Sequence, residues 1–146
     1  MRQKGNANLH NEERNMDLMR AYQDMLNKSA GPIDPDELFN RLVEMPCRRF
    51  WIGETCATDV IRKMRAGWVP TRMTRTRREM YAEILSRTEA YLERHPGVHL
   101  QAAVRQVIAQ PAPKFYLTPG SARVIVSKCR KQWYAEKFRR LQHLFM

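Results

Sequence analysis

The chain writes one stretch twice, and that duplication constrains its fold more than any single motif. Pro46 matches Pro111, Phe50 matches Phe115, Ala57 matches Ala122, Lys63 matches Lys128, Arg65 matches Arg130 and Trp68 matches Trp133, each pair 65 residues apart. Arg49/Lys114, Trp51/Tyr116, Ile52/Leu117, Val60/Ile125 and Ile61/Val126 are conservative pairs at the same offset. Upstream, Leu18/Ile84, Met19/Leu85, Leu26/Leu92 and Gly31/Gly97 align 66 apart, so one residue is lost in a loop. Self-similarity at a fixed period points to architecture before it points to chemistry.

Each copy reads helix, helix, short extended joint, helix. Apolar positions Met16, Met19, Tyr22, Met25 and Leu26 recur at helical spacing over Leu9–Lys28, and the run ends at Gly31-Pro32. Asp34-Pro-Asp-Glu37 is a capping signature: Asp34 caps, Pro35 suits the first helical position and Glu37 completes the box. The helix it opens is expected over Pro35–Met45, with Leu38, Leu42 and Met45 inward. Arg48–Ile52 reads as extended. A helix over about Gly53 to Ala66 follows, buried through Ala57, Val60, Ile61 and Met64. Trp68–Thr74 is a linker. The second copy supplies helices over about Arg75–Arg94 and Leu100–Ala109, a joint at Lys114–Leu117, and a last helix capped by Thr118 and started by Pro119 that runs to about Leu144.

The expected fold is therefore all-α: two pseudo-repeats of three helices each, helix-turn-helix-like, with short extended joints. The organisation is a flexible N-terminus over 1–8, a first three-helix repeat over 9–68, a linker over 69–74, and a second repeat over 75–146 with a long C-terminal helix. The two joints are candidates to pair as a minimal ribbon. One aromatic of each pair, Phe50-Trp51 and Phe115-Tyr116, is expected to plug the core, and Trp68 and Trp133 to be structural.

Charge sets the partner class. The chain has 146 residues, a net charge of +11 and a pI near 10.1, a balance that attracts polyanions, nucleic acid first. Three cysteines without a Cys-x-x-Cys pair fit reduced thiols better than a disulfide framework. Nothing at the N-terminus reads as a signal peptide and no apolar run approaches the roughly 20 residues of a membrane span. The expectation is a cytoplasmic protein, or one at the nucleoid, with no membrane partner.

The basic residues gather on the third helix of each copy. Arg62, Lys63 and Arg65 flank one apolar stripe; Arg123, Lys128, Arg130 and Lys131 flank the other. An apolar stripe that seats a helix, opposite a basic face, suits a helix that tracks phosphates. The linker adds Arg72, Arg75, Arg77 and Arg78, with no acid between Asp59 and Glu79. Arg48, Arg49 and Lys114 lie beside Phe50-Trp51 and Phe115-Tyr116, where aromatics next to cations can stack on bases. The C-terminal run Tyr134, Phe138, Leu141 and Phe145 is a second apolar stripe, expected to cover the N-terminal helix or else to form a homodimer seam.

No catalytic constellation emerges. The four histidines are scattered, and His95 and His99 are separated by Pro96-Gly97. There is no Gly-rich phosphate loop and no nucleophile elbow. No enzyme, metal or cofactor is expected. The helix, joint and helix of each copy resemble a helix-turn-helix loosely, because the joint is longer than that motif's turn. The tandem arrangement resembles Myb-like repeats, without their regular tryptophan spacing. Pro111-Ala-Pro-x-Phe-Tyr116 followed by Ala122-x-x-Ile125 is similar to a pattern in small basic uncharacterised proteins of gut Bacteroidetes and their mobile elements. It covers about the last third of the chain and implies a bacterial or phage-linked origin.

The reading is a nucleic-acid-binding protein, duplex DNA favoured, acting as a transcriptional regulator or architectural factor. The alternative is a non-enzymatic adaptor or mobile-element structural protein that meets an acidic protein partner.

Overall fold

In the computed structural model, residues 5–145 are described, with side chains from residue 10 onward. The described chain is all-helical: α1 Gly5–Lys28, α2 Pro35–Leu42, α3 Glu54–Arg65, α4 Arg75–Arg94, α5 Leu100–Ile108 and α6 Pro119–Leu144. α1 begins earlier than its apolar periodicity announces, so helix occupies residues 5–8 of the segment expected to be flexible; residues 1–4 lie outside the described residues.

Local signals explain most boundaries. The Asp34 carboxylate accepts a hydrogen bond from the Glu37 backbone N at 3.3 Å, and Pro35 occupies the first turn. Glu37 does not complete the reciprocal half of the box; it faces Arg41 at 3.7 Å instead. Thr118 caps α6 through the Ser121 N–H at 3.1 Å, again with proline in the first turn. α3 ends at Gly67, whose φ of 101° is left-handed, a conformation that costs an L-residue about 1–2 kcal/mol. α2 stops at Leu42, short of Met45, and passes into turns that carry the chain to the joint.

Packing exchanges the third helices. α6 packs on α1 and α2, whereas α3 packs on α4 and α5. Consecutive α2 and α3 do not pack together, and neither do α5 and α6, among the described residues. The cause is the crossing of the joints. Cys47 N donates to Ala112 O at 3.1 Å and Ala112 N donates to Cys47 O at 3.0 Å, a single antiparallel bridge rather than a ribbon. On either side, Phe50 N donates to Ile108 O at 3.0 Å and Phe115 N donates to Val43 O at 3.1 Å. Each of these bonds becomes the other when 65 is added to or taken from its residue numbers.

The core surrounds this crossing. Phe50 and Phe115 are buried, as are Leu18, Leu38, Leu42, Ile61, Tyr81, Ile84 and the whole inner face of α5. Burying side chains of this size stabilises the fold by roughly 1.5–3 kcal/mol each before entropy is counted. The second joint is not uniformly extended: Tyr116 has φ 56°, and its ring stacks on Phe50 at 6.0 Å. Asp17 is the one buried carboxylate among the described residues, and it is fully engaged. It accepts from the Arg48 backbone N at 2.8 Å and from the Arg20 guanidinium at 2.6 Å.

Two expectations fail on exposure. Trp68 and Trp133 are 44% and 54% exposed, so they do not serve as core anchors. Tyr134, Phe138, Leu141 and Phe145 are 55%, 63%, 43% and 85% exposed, so this stripe does not cover α1. The reason is geometric. At about 100° per residue, this row lies roughly 110° around the helix from the Ala122/Val126 row that α1 and α2 bury.

Candidate nucleic-acid interface

The basic residues divide by whether an acid holds them. On α3, Arg62 pairs with Asp59 at 3.1 Å and Arg65 with Glu89 of α4 at 2.8 Å. Lys63 is exposed and rests over the Trp68 ring at 5.9 Å. Two of the three candidate cations of α3 are thus already neutralised. These pairs are solvent-exposed, the kind worth about 0–1 kcal/mol, so a phosphate can compete for them.

α6 is different. Arg123 pairs with Asp36 at 3.3 Å. Lys128, Arg130 and Lys131 are exposed and form no ion pair among the described residues. Arg130 lies beside the Tyr134 and Tyr22 hydroxyls, and hydrogen bonding to Tyr134 is the main cause of its raised pKa. Beyond them, Lys137, Arg139 and Arg140 are exposed and equally free of acids. Arg139 and Arg140 lie beyond the register that α6 shares with α3, so the repeat does not point to them. The signal was present: Glu136 is the only acid in α6.

The linker cations separate too. Arg75 is held by Glu79 at 3.0 Å, while Arg72, Arg77 and Arg78 are exposed without an acid partner among the described residues. Arg77 borders the Tyr81 hydroxyl, a phenol that burial pushes up to about 12.

The joints hold their cations by contrasting means. Arg49 donates to the backbone carbonyls of Phe50 and Ile52 at 3.2 and 3.3 Å, and its guanidinium lies over Trp51 at 5.5 Å. Arg48 is mostly exposed, its Nε 3.7 Å from Asp17. These residues, with Arg20, border a groove of about 600 Å³. Lys114 is instead clamped by Glu79 at 2.7 Å and faces Glu44 at 3.9 Å, so its pKa is raised and that of Glu79 lowered. Lys114 is the candidate least available to a ligand.

No group of three or more His, Cys, Asp or Glu among the described residues is placed to hold a metal ion. Cys47, Cys56 and Cys129 are free thiols. Burial pushes Cys47 up to about 12, and its Sγ donates to the Arg49 and Lys114 carbonyls, so it stays protonated and inert at neutral pH. No helix among the described residues is long and apolar enough to cross a membrane. The chain matches no family model, and no curated protein or solved structure matches it.

Proposed function

We propose that this chain is a non-enzymatic nucleic-acid-binding protein, duplex DNA favoured, working in the cytoplasm as a transcriptional regulator or architectural factor. One observation carries the reading: Lys128, Arg130, Lys131, Lys137, Arg139 and Arg140 of α6, with Arg72, Arg77 and Arg78, stand exposed with no acid partner among the described residues, while Arg75 and Arg123 alone in these segments are paired. A surface of that kind concentrates a polyanion and releases its counterions on binding. The architecture that accompanies the proposal is two pseudo-repeats of three helices. The helix-turn-helix-like pairs are formed across the halves, α2 with α6 and α5 with α3, and the reciprocal bonds at the joints support this arrangement.

The test is a titration of random duplex and single-stranded DNA at two salt concentrations. With about six phosphates neutralised, log affinity should fall with log salt at a slope of about −5. A flat response overturns the proposal. Tighter binding to the single strand would move the preference from duplex to unpaired nucleic acid.

The second reading, an adaptor for an acidic protein partner, rests on a different observation: the exposed row Tyr134, Phe138, Leu141 and Phe145, which nucleic-acid binding does not require. The same row is the candidate homodimer seam.

A further inference from the structure

The exposed row of α6 does not stand alone. Between α2 and α6 lies an open groove of about 540 Å³, floored by Leu38, Phe39 and Val126. From α6, Arg123, Ser127, Arg130 and Tyr134 line it. These positions advance by four, three and four residues, and Phe138, Leu141 and Phe145 carry the same progression onward by four, three and four. Residues so spaced form one row along a helix. The groove and the exposed row are therefore one continuous strip, about 33 Å long at 1.5 Å per residue. Its floor is apolar at the α2 end, and its row is apolar at the C-terminal end.

An amphipathic helix is the occupant such a strip fits, with apolar anchors repeating every three or four residues. The charge decides which helix. α6 carries Arg123, Lys128, Arg130, Lys131, Lys137, Arg139 and Arg140 against Glu136 alone. Arg130, Lys131 and Lys137 flank the row itself. A second copy would lay an equally cationic helix alongside, with like charges facing across the seam. A nucleic acid would satisfy the cations and leave the four large exposed side chains in water. We propose that this strip docks an acidic amphipathic helix of a partner protein, its apolar positions seated on the exposed Tyr134, Phe138, Leu141 and Phe145 and its carboxylates meeting Arg130, Lys131 and Lys137. This inference deepens the adaptor reading; it shares Arg130 and Lys131 with the nucleic-acid reading, which also rests on Arg72, Arg77, Arg78 and Lys128, whereas the apolar anchors belong to the docking strip alone.

The test uses the full chain and a synthetic three-heptad peptide with leucine at the seam positions and glutamate beside them. Fluorescence anisotropy should show saturable binding, weakened at least tenfold in Phe138→Ser/Leu141→Ser, whose sites are exposed and whose substitution leaves the charge unchanged. A peptide with lysine in place of glutamate should not bind. Random-duplex affinity should change less than threefold in the double variant, which separates failure here from failure of the nucleic-acid proposal. Equal peptide binding by the two proteins overturns the inference. So does a wild-type dimer in sedimentation that the double variant converts to monomer, since a second copy then fills the strip. Capture by phosphatidylserine vesicles that the acidic peptide does not relieve also overturns it, in favour of a membrane surface.

Discussion

α3 and α6 follow the two joints, share Lys63/Lys128 and Arg65/Arg130 in register, and yet present opposite surfaces. The acids that hold the α3 cations are Asp59 and Glu89. At the corresponding positions the other half has Val124, 65 residues after Asp59, and Gln23, 66 residues before Glu89. The α6 cations are left free because their partners are absent from the sequence. The helices also end differently. α3 is stopped by Gly67 in a left-handed conformation, while the matching Gln132 is a good helix former and α6 continues to Leu144. The shared register shows that the joints and core use both helices; the different surfaces and endings show that α6 keeps far more of its cations free of acids than α3 does.

The largest expected effect tests the similarity. Phe50 and Phe115 are buried on either side of the Cys47–Ala112 bridge, and each donates its backbone N–H to a carbonyl of the opposite half. Phe50→Ala and Phe115→Ala should each cost about 3–5 kcal/mol in urea unfolding. A difference above about 2 kcal/mol between them would break the comparison at its base, because the joints would then not be equivalent supports.

The next experiment tests the difference. Replacing Lys128, Arg130 and Lys131 with glutamine should reduce the magnitude of the salt slope for duplex DNA by about 3 if each contacts a phosphate. The matching replacement of Arg62, Lys63 and Arg65 should reduce it by about 1, since two of those side chains already face acids. Equal losses would place both helices on the nucleic acid. Smaller still are the effects at the helix ends. Gly67→Ala should cost about 1 kcal/mol by forcing a side chain into left-handed φ, although nothing lies within 4 Å to obstruct it. Gln132→Gly should cost α6 a similar amount, about 1 kcal/mol, read as lost helicity by circular dichroism with little change in the core's urea midpoint.

Helices, caps and most core positions were legible in the sequence because they depend on local physics. Asp34, Thr118 and the prolines after them act within one turn, and the inner face of α5 is plain in its spacing. The exchange of α3 and α6 was not legible. It depends on which way two short joints cross, and a repeated segment specifies its own register without saying which half it packs on. Exposure at Trp68, Trp133 and the Tyr134–Phe145 row was misjudged for a related reason. Apolar spacing shows that a face is prepared for burial, not that the same chain buries it. The candidate site was legible as charge, but the sorting of free from neutralised cations needed Glu89 brought to Arg65 and Glu79 to Lys114, pairs 24 and 35 residues apart in the chain.

The smallest effect concerns how the two helices start. Thr118 caps α6, whereas the residue 65 positions earlier is Gly53, which offers α3 no side-chain cap. Gly53 has φ −71° and ψ 143°, the extended geometry of an N-cap, and an added Cβ meets nothing within 4 Å. Gly53→Ser should therefore stabilise the protein by a few tenths of a kcal/mol, because serine supplies the acceptor that glycine lacks at no steric cost. Thr118→Ala should cost about 1 kcal/mol at the matching site. Paired urea titrations of the two variants measure both. A loss at Gly53→Ser would mean that the first joint needs glycine for a reason its dihedral angles do not reveal, and the kinship of the two helix starts would fail at that residue.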